Sequence, residues 1–412
     1  MHLAMLTSSY PRHAADTAAP FVRSLAEALA RQGLTVSVVA PADPAARPLP
    51  GPVRCDRFAY APFPAWAIMG HARALHRDQQ LDPRAYVLIP LYLTAALRAL
   101  LRLHRSQPLD LIHAHWVLPN GPAAALAARI TGRPLVISLH GSDVFVAGWN
   151  PLFRALAGWC CRQARTVIAC SPELADRARR LGAPKERLTV IPHGVDPERF
   201  HPVSPDERAR LRAALGLEPT ALFVIAIGRL VPKKGFHHLV AALPLVAATL
   251  PTVRLLILGE GPERSALVRL AARLGVDDRL LLRGAVPWPE VPRYLQAADV
   301  LAMPSVHDAA GNVDGLPTVV LEALACGLPV VASRVSGLPL VVHDGENGRL
   351  VPEGEAPALA RALVEVLADP DRRRQLGATA RRLVLERWTW DHIAQEYRAV
   401  YQAALSARAG MF

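Results

Sequence analysis

The chain has 412 residues, is 51% hydrophobic and 20% charged, and carries a formal net charge of +12. That balance excludes a disordered or low-complexity protein, and the length predicts about two domains. No dense basic run or recognised motif accompanies the charge, so nucleic acid is not the expected partner.

Met1–Tyr10 reads as a strand and its loop, without the basic start of a signal peptide. Leu3–Thr7 is the first short apolar strand. Phe21–Arg31 places Val22, Leu25 and Leu29 at helical spacing, and Gly33 follows as a stop. Thr35–Ala40 is the next strand. Strand–helix–strand predicts a parallel sheet with helices on its faces. Arg47–Asp82 is rich in Pro and aromatic residues and reads as irregular. Tyr86–Leu103 is the most apolar stretch, but Pro90, Arg98 and Arg102 interrupt it. It is short and charged for a membrane span, which predicts a helix of the fold or an interfacial segment. Leu109–His113, Leu135–Leu139, Thr166–Ala169 and Leu188–Ile191 are further strands. Cys55, Cys160, Cys161, Cys170 and Cys326 form no CxxC pair, which suits reduced thiols in the cytosol.

Residues 1–200 hold 23 Lys and Arg against 13 Asp and Glu, leaving +10; the remainder hold 24 against 22, leaving +2. A basic first half suits an anionic membrane surface or a pyrophosphate-linked lipid. A chain rich in Arg and Ala and poor in Lys gives the same charge by composition alone.

Asp196–Pro205, with three prolines, is the expected linker. Arg208–Leu215 reads as a helix. The strands Leu222–Ile227, Arg254–Leu258, Leu280–Leu282, Val300–Met303 and Pro329–Ala332 follow, alternating with helices such as Glu263–Leu274 and Val291–Ala297. Trp390–Leu405 closes the chain as a helix with Trp390, Ile393, Tyr397, Val400 and Ala404 on one side. Two doubly wound α/β domains with a cleft between them are expected, with ligands beyond the carboxyl ends of the strands.

Four loops lie at those ends. They are Thr7–Pro20; His140–Asp143 (HGSD); Gly228–Gly235 (GRLVPKKG); and the start of residues 313–333, VDGLPTVVLEALACGLPVVAS. In GRLVPKKG a glycine-led turn offers backbone amides, and Arg229 and Lys234 add the positive charge that a diphosphate requires. Lys233 and Lys234 are two of only three lysines in the chain. Residues 313–333 predict a loop, a helix and a buried strand, with Pro317 at the first helical position and Gly327 just past the end. Glu322 interrupts the apolar helix, and a carboxylate there needs a partner. It is expected to accept hydrogen bonds from a hydroxylated ligand, or else to be an exposed face residue or half of an ion pair. His140 suits contact with a sugar hydroxyl, acid or base chemistry, or a capping or core-bound role, and Asp143 a cap. His113 and His115 share one strand face. No third ligand is apparent for a zinc site, and no acidic pair adjoins a strand, so no metal is expected.

The paired motifs resemble those of the retaining GT-B glycosyltransferases of family 4, in their exopolysaccharide/colanic-acid-type group. A GR…KG loop is coupled to an E-x7-E helix, here with Asp314 in the first acidic position. HAHWVLPNG, HGSDV, CSPELADRA and VIPHGVDPERF match family segments in order. The resemblance implies two Rossmann-like domains facing a central cleft. They would be an acceptor-binding domain over 1–200, a nucleotide-sugar-binding domain over 201–388, and a C-terminal helix over 389–412 that crosses back to the first. It implies that Arg229 and Lys234 hold the donor diphosphate and that Glu322 binds the ribose. Asp314 contacts the donor sugar, with amides of Gly315, Leu316 and Pro317 nearby, and His140 sits close to the reacting carbon. Arg229, Lys234, Asp314 and His140 would then carry catalysis. The implied activity is metal-independent and cofactor-free. It moves a hexose from a UDP- or GDP-sugar to a lipid-linked or oligosaccharide acceptor in envelope or exopolysaccharide synthesis. The implied place is the cytoplasm, peripheral on the inner face of the plasma membrane. A nucleotide-sugar 2-epimerase and a catalytically silent nucleotide-binding subunit share the plan.

The chain departs from the family at three points. Asp314 replaces the usual Glu, His193 replaces the Asn of NGVD, and Ala18–Ala19–Pro20 stands where relatives often carry glycine.

Overall fold

The computed structural model describes residues 1–406 apart from 15, 17, 72 and 77–79. Parts of the first loop, of the irregular region and of the expected C-terminal segment therefore lie outside the described residues. The chain forms two compact units, one of Met1–Pro192 with the C-terminal stretch from Trp390, the other of His193–Thr389.

The first unit is built on a seven-stranded sheet. Its strands are β1 (His2–Leu6), β2 (Thr35–Pro41), β3 (Arg54–Phe58), β4 (Leu111–His115), β5 (Leu135–Leu139), β6 (Thr166–Ala169) and β7 (Leu188–Val190). Their order is β3-β2-β1-β4-β5-β6-β7, and every pairing is parallel. Helices cover both faces, so the inner strands read as continuous apolar runs. Leu3, opposite Val36 on one side and Leu111 on the other, is fully buried.

β4 begins two residues later than its apolar run suggested. Asp110 is consumed at the strand's entry, where its amide donates to the His2 carbonyl and its carboxylate accepts from the His2 amide. Both His113 and His115 thus fall within the sheet. β3 falls inside the Pro- and aromatic-rich stretch that reads as irregular; RCDRF has no apolar run and forms an edge strand, where charge is tolerated.

The C-terminal helix, Trp390–Ser406, packs on the helix Pro20–Arg31. Trp390, Ile393, Ala394, Tyr397 and Tyr401 join the first unit's core. Burying a large apolar side chain is worth roughly 1.5–3 kcal/mol. This face therefore outweighs the exposed Arg31–Asp391 pair at its edge, which is worth about 1 kcal/mol at most.

The helix Pro83–Ser106 is capped by Asp82 and is apolar and long enough to cross a membrane. It is a helix of the fold: Ala85, Leu88, Tyr92, Ala96, Leu100 and Leu103 are buried. Its other face leaves Tyr86, Val87 and Leu91 exposed.

The second unit carries a six-stranded parallel sheet. Its strands are β8 (Leu222–Ile227), β9 (Val253–Leu258), β10 (Leu280–Gly284), β11 (Val300–Met303), β12 (Val330–Ser333) and β13 (Gly348–Val351), in the order β10-β9-β8-β11-β12-β13. β13 was not legible in the sequence, being four residues led by glycine. Chain order reverses direction between β8 and β11, which are neighbours, so the loops leaving these two strands come together.

The expected linker is not a free tether. Phe200 is buried beside Trp288, and Arg381 donates to the carbonyls of Pro197 and Phe200. Residues from His193 onward therefore belong to the second unit.

Candidate functional site

In the second unit the loop after β8 is shaped by two glycines. A Cβ on Gly228 would stand 2.9 Å from Lys234 Cε, so a side chain there would push the lysine stem aside. Gly235 has φ +65°, and a Cβ there would stand 1.9 Å from the Pro304 carbonyl oxygen. Between them Pro232–Lys234 forms a short 3₁₀ turn. The Lys233 carbonyl accepts from the Val306 amide at 2.9 Å, which fastens this loop to the one leaving β11.

That fastening brings the charges together. Lys234 Nζ lies 2.6 Å from Asp314 Oδ2, and Lys233 Nζ lies 3.4 Å from Asp314 Oδ1. Burial opposes ionisation of Asp314, but Lys234 and then Lys233 outweigh it and bring its pKa down to about 2. The two lysines bring positive charge to this turn, the sign that a diphosphate requires. Arg229 is exposed on the same turn. Lys233 was not singled out from sequence, although the scarcity of lysine marked it.

Asp314 leads into the helix Thr318–Ala325. Pro317 is the residue before the first turn rather than its first member. Having no N–H, it cannot supply one of the expected amides. Gly315 and Leu316 can. The Gly315 carbonyl is held by the Gly337 amide at 2.8 Å and the Ser336 hydroxyl at 3.0 Å, which fixes the peptide plane. Two neighbouring amides beside a helix N-terminus make an anion-facing surface. Gly327, at φ +68°, follows the helix end as expected.

Glu322 sits on the second turn of that helix and is buried. Its Oε1 accepts from Trp288 Nε1 at 3.0 Å, and the Arg199 guanidinium lies 4.0 Å from the Trp288 ring centroid. Burial raises its pKa to about 7, against the lowering effects of the Trp288 hydrogen bond and the Arg199 charge. The ion-pair alternative is thus replaced by a neutral donor on one oxygen. Trp288 carried no sequence signal, since a tryptophan 34 residues away reads as core.

In the first unit His140 follows β5 and precedes the helix Ser142–Gly148. Asp143 organises this turn and is more than a cap. Its Oδ1 accepts from the amides of Gly141 at 3.0 Å and His140 at 3.2 Å, and its Oδ2 accepts from Val117 at 2.8 Å. Burial raises its pKa to about 6 despite these amides. The His140 ring stacks on His115, with Nε2 3.1 Å from His115 Nδ1, and Trp116 and Phe21 flank it. His113 bonds to Ser138 and to Tyr401 of the C-terminal helix. The strand-face pair His113/His115 is therefore spent on holding elements and the His140 ring. Among the described residues no three His, Cys, Asp or Glu side chains group as metal ligands.

The other departures are also placed. Ala19 adopts φ +47°, ψ +53°, a left-handed conformation that glycine reaches without strain. His193 is buried, which lowers its pKa to about 4 and keeps it neutral.

Residues 18–199 match the family described as Glycosyltransferase Family 4, and residues 207–383 match Glycosyl transferases group 1. A GDP-mannose-dependent alpha-(1-6)-phosphatidylinositol monomannoside mannosyltransferase of Mycolicibacterium smegmatis is 38% identical over 281 residues, covering 67% of this chain and 72% of that one. The 2-deoxystreptamine glucosyltransferase of Streptomyces kanamyceticus is 33% identical over 294 residues, covering 68% and 73%. Among solved structures, Anabaena HepE in complex with UDP superposes with a TM-score of 0.75 at 23% identity, covering 98% of this chain and 100% of that one.

Proposed function

This chain belongs to glycosyltransferase family 4 and is a hexosyltransferase of GT-B fold, and from that premise we propose the particular transfer it carries out. A hexose passes from a nucleoside diphosphate sugar, with UDP or GDP as the carrier, to a hydroxyl of a lipid-linked or oligosaccharide acceptor in envelope or exopolysaccharide synthesis. The observation that carries this reading is the Lys233–Lys234–Asp314 cluster joined by the loops after β8 and β11. In the free protein Asp314 neutralises part of the lysine charge. A donor diphosphate replaces that partner and leaves the carboxylate for sugar hydroxyls.

As the C1–O bond to phosphate breaks, negative charge grows on the departing diphosphate. Cations and amides already aimed at it stabilise that charge without reorganising. The acceptor oxygen attacks on the same face and gives its proton to the leaving phosphate oxygen, so configuration is retained and no metal is required. Glu322, with Oε1 held by Trp288, offers Oε2 to the ribose. Gly315 and Leu316 contribute amides, and His140 is assigned to the sugar by the family resemblance alone.

The acceptor side of the proposal is an anionic membrane surface on the cytoplasmic face. Tyr86, Val87 and Leu91 project from the helix Pro83–Ser106, in the half of the chain with a charge of +10.

The test is a panel of radiolabelled nucleotide sugars with purified protein, with and without membrane extract as acceptor source. Transfer, or slow donor hydrolysis without acceptor, is expected for one donor. The reading fails if every donor is returned intact.

A further inference from the structure

The first unit has a second electropositive concavity, at the opposite end of its sheet from His140. It encloses about 250 Å³ and is lined by Arg129, Arg133, Arg165 and Arg187 with Gln163. Arg133 precedes β5, Arg165 precedes β6 and Arg187 precedes β7, so the pocket lies at the amino ends of three neighbouring strands. The helices Val117–Thr131 and Pro151–Gln163 end there.

Part of this gathering is structural. Helix C-termini attract cations, and Arg187 donates to the Arg162 and Ala164 carbonyls at 2.8 and 3.0 Å. Two helix ends supply roughly half a negative charge each, against four guanidinium groups. No residue lining the pocket is acidic, and none of the four arginines pairs with a carboxylate among the described residues. The buried Nε of Arg133 has no hydrogen-bond partner. About three positive charges are left unbalanced around one small cavity. Asp110, the acid at the entry of neighbouring β4, is engaged by the His2 amide.

We propose that this pocket is a binding site for a small, multiply charged phosphate, separate from the donor site. Planar guanidinium groups match phosphate oxygens bidentately. The volume is below the roughly 300–1,000 Å³ of pockets for drug-sized ligands, so a diphosphate or a phospholipid headgroup fits better than a whole nucleotide sugar. A free phosphate and a lipid headgroup share this chemistry, and experiment separates them.

The test uses the full chain carrying Arg229→Gln, Lys233→Gln and Lys234→Gln together, so that the donor loop's cations do not report. Inorganic pyrophosphate is titrated by calorimetry into this protein and into versions that add Arg129→Gln/Arg165→Gln or Arg133→Gln. Flotation is measured with phosphatidylcholine vesicles with and without cardiolipin. At least tenfold weaker pyrophosphate binding in both added variants supports a soluble ligand. Cardiolipin-dependent flotation that falls with the same changes, without pyrophosphate binding, supports a lipid headgroup. Pyrophosphate affinity and flotation that are the same in all three proteins overturn the proposal. Because all three donor-loop cations are absent throughout, this outcome is independent of whether the donor site is correctly assigned.

Discussion

Glu322→Gln is expected to stabilise the second unit while weakening donor binding. The carboxyl titrates near 4.5 when exposed and near 7 in the fold, because burial disfavours its charge. Unfolding therefore releases a proton between those values, and stability falls as pH rises from about 4.5 to about 7. Each pKa unit is worth about 1.4 kcal/mol, so the full penalty above neutrality is about 3 kcal/mol. Glutamine keeps an oxygen for Trp288 and has no charge to bury. The variant and the parent should differ little near about pH 4 and by up to about 3 kcal/mol near about pH 8. For a unit of this size that is roughly 6–12 °C in Tm. Any constant packing offset leaves the slope untouched. Donor KM should rise roughly 10–100-fold, the value of one charge-assisted hydrogen bond. Thermal melts of both proteins across this pH range, with donor kinetics alongside, are the assay. A Tm difference independent of pH would refute the claim that Glu322 is desolvated. Unchanged KM would refute its contact with the donor.

Three further outcomes are expected. Lys234→Ala should lower turnover by about 10²–10³, the effect of removing one preorganised donor to developing charge, with the fold intact by circular dichroism. Turnover within a fewfold of the parent would remove Lys234 from the site. Asp143→Ala strands two buried amides, Gly141 and Val117, and the part-buried one of His140, at about 1–3 kcal/mol for each unsatisfied buried group. Denaturant midpoints should fall sharply for Ala and less for Asn, whose single oxygen still accepts from Gly141 and His140 while its NH2 opposes the Val117 amide, and equal losses would contradict the acceptor role. Ala19→Gly should raise stability by about 1 kcal/mol, since the left-handed conformation costs an alanine roughly that much. A lower midpoint would mean that the Ala19 methyl matters more than its backbone.

The alternation of apolar strands and helices was legible because buried parallel strands must be continuous apolar runs, as in LVISL and LFVIAI. Elements whose stability comes from neighbours were not legible: the charged edge strand Arg54–Phe58, the four-residue β13, and the proline-rich 196–205 segment held by Arg381. Among site residues, Arg229, Lys234, Asp314 and Glu322 stood out because charge at a loop–helix junction or on an apolar helix is costly without a purpose. Lys233 and Trp288, which meet Asp314 and Glu322, did not stand out.

By itself, then, the sequence determined which residues carry charge and which backbone positions are glycine. Gly235, with the Pro304 carbonyl where a side chain would be, is such a position. Only the tertiary structure decided who meets whom. Placing β8 beside β11 delivers both lysines to Asp314, and burial sets Trp288 on Glu322, so that one carboxylate is held near 2 and the other near 7. A pKa is fixed by solvent exclusion and by the neighbouring charge, and both are properties of the packed chain rather than of the residue.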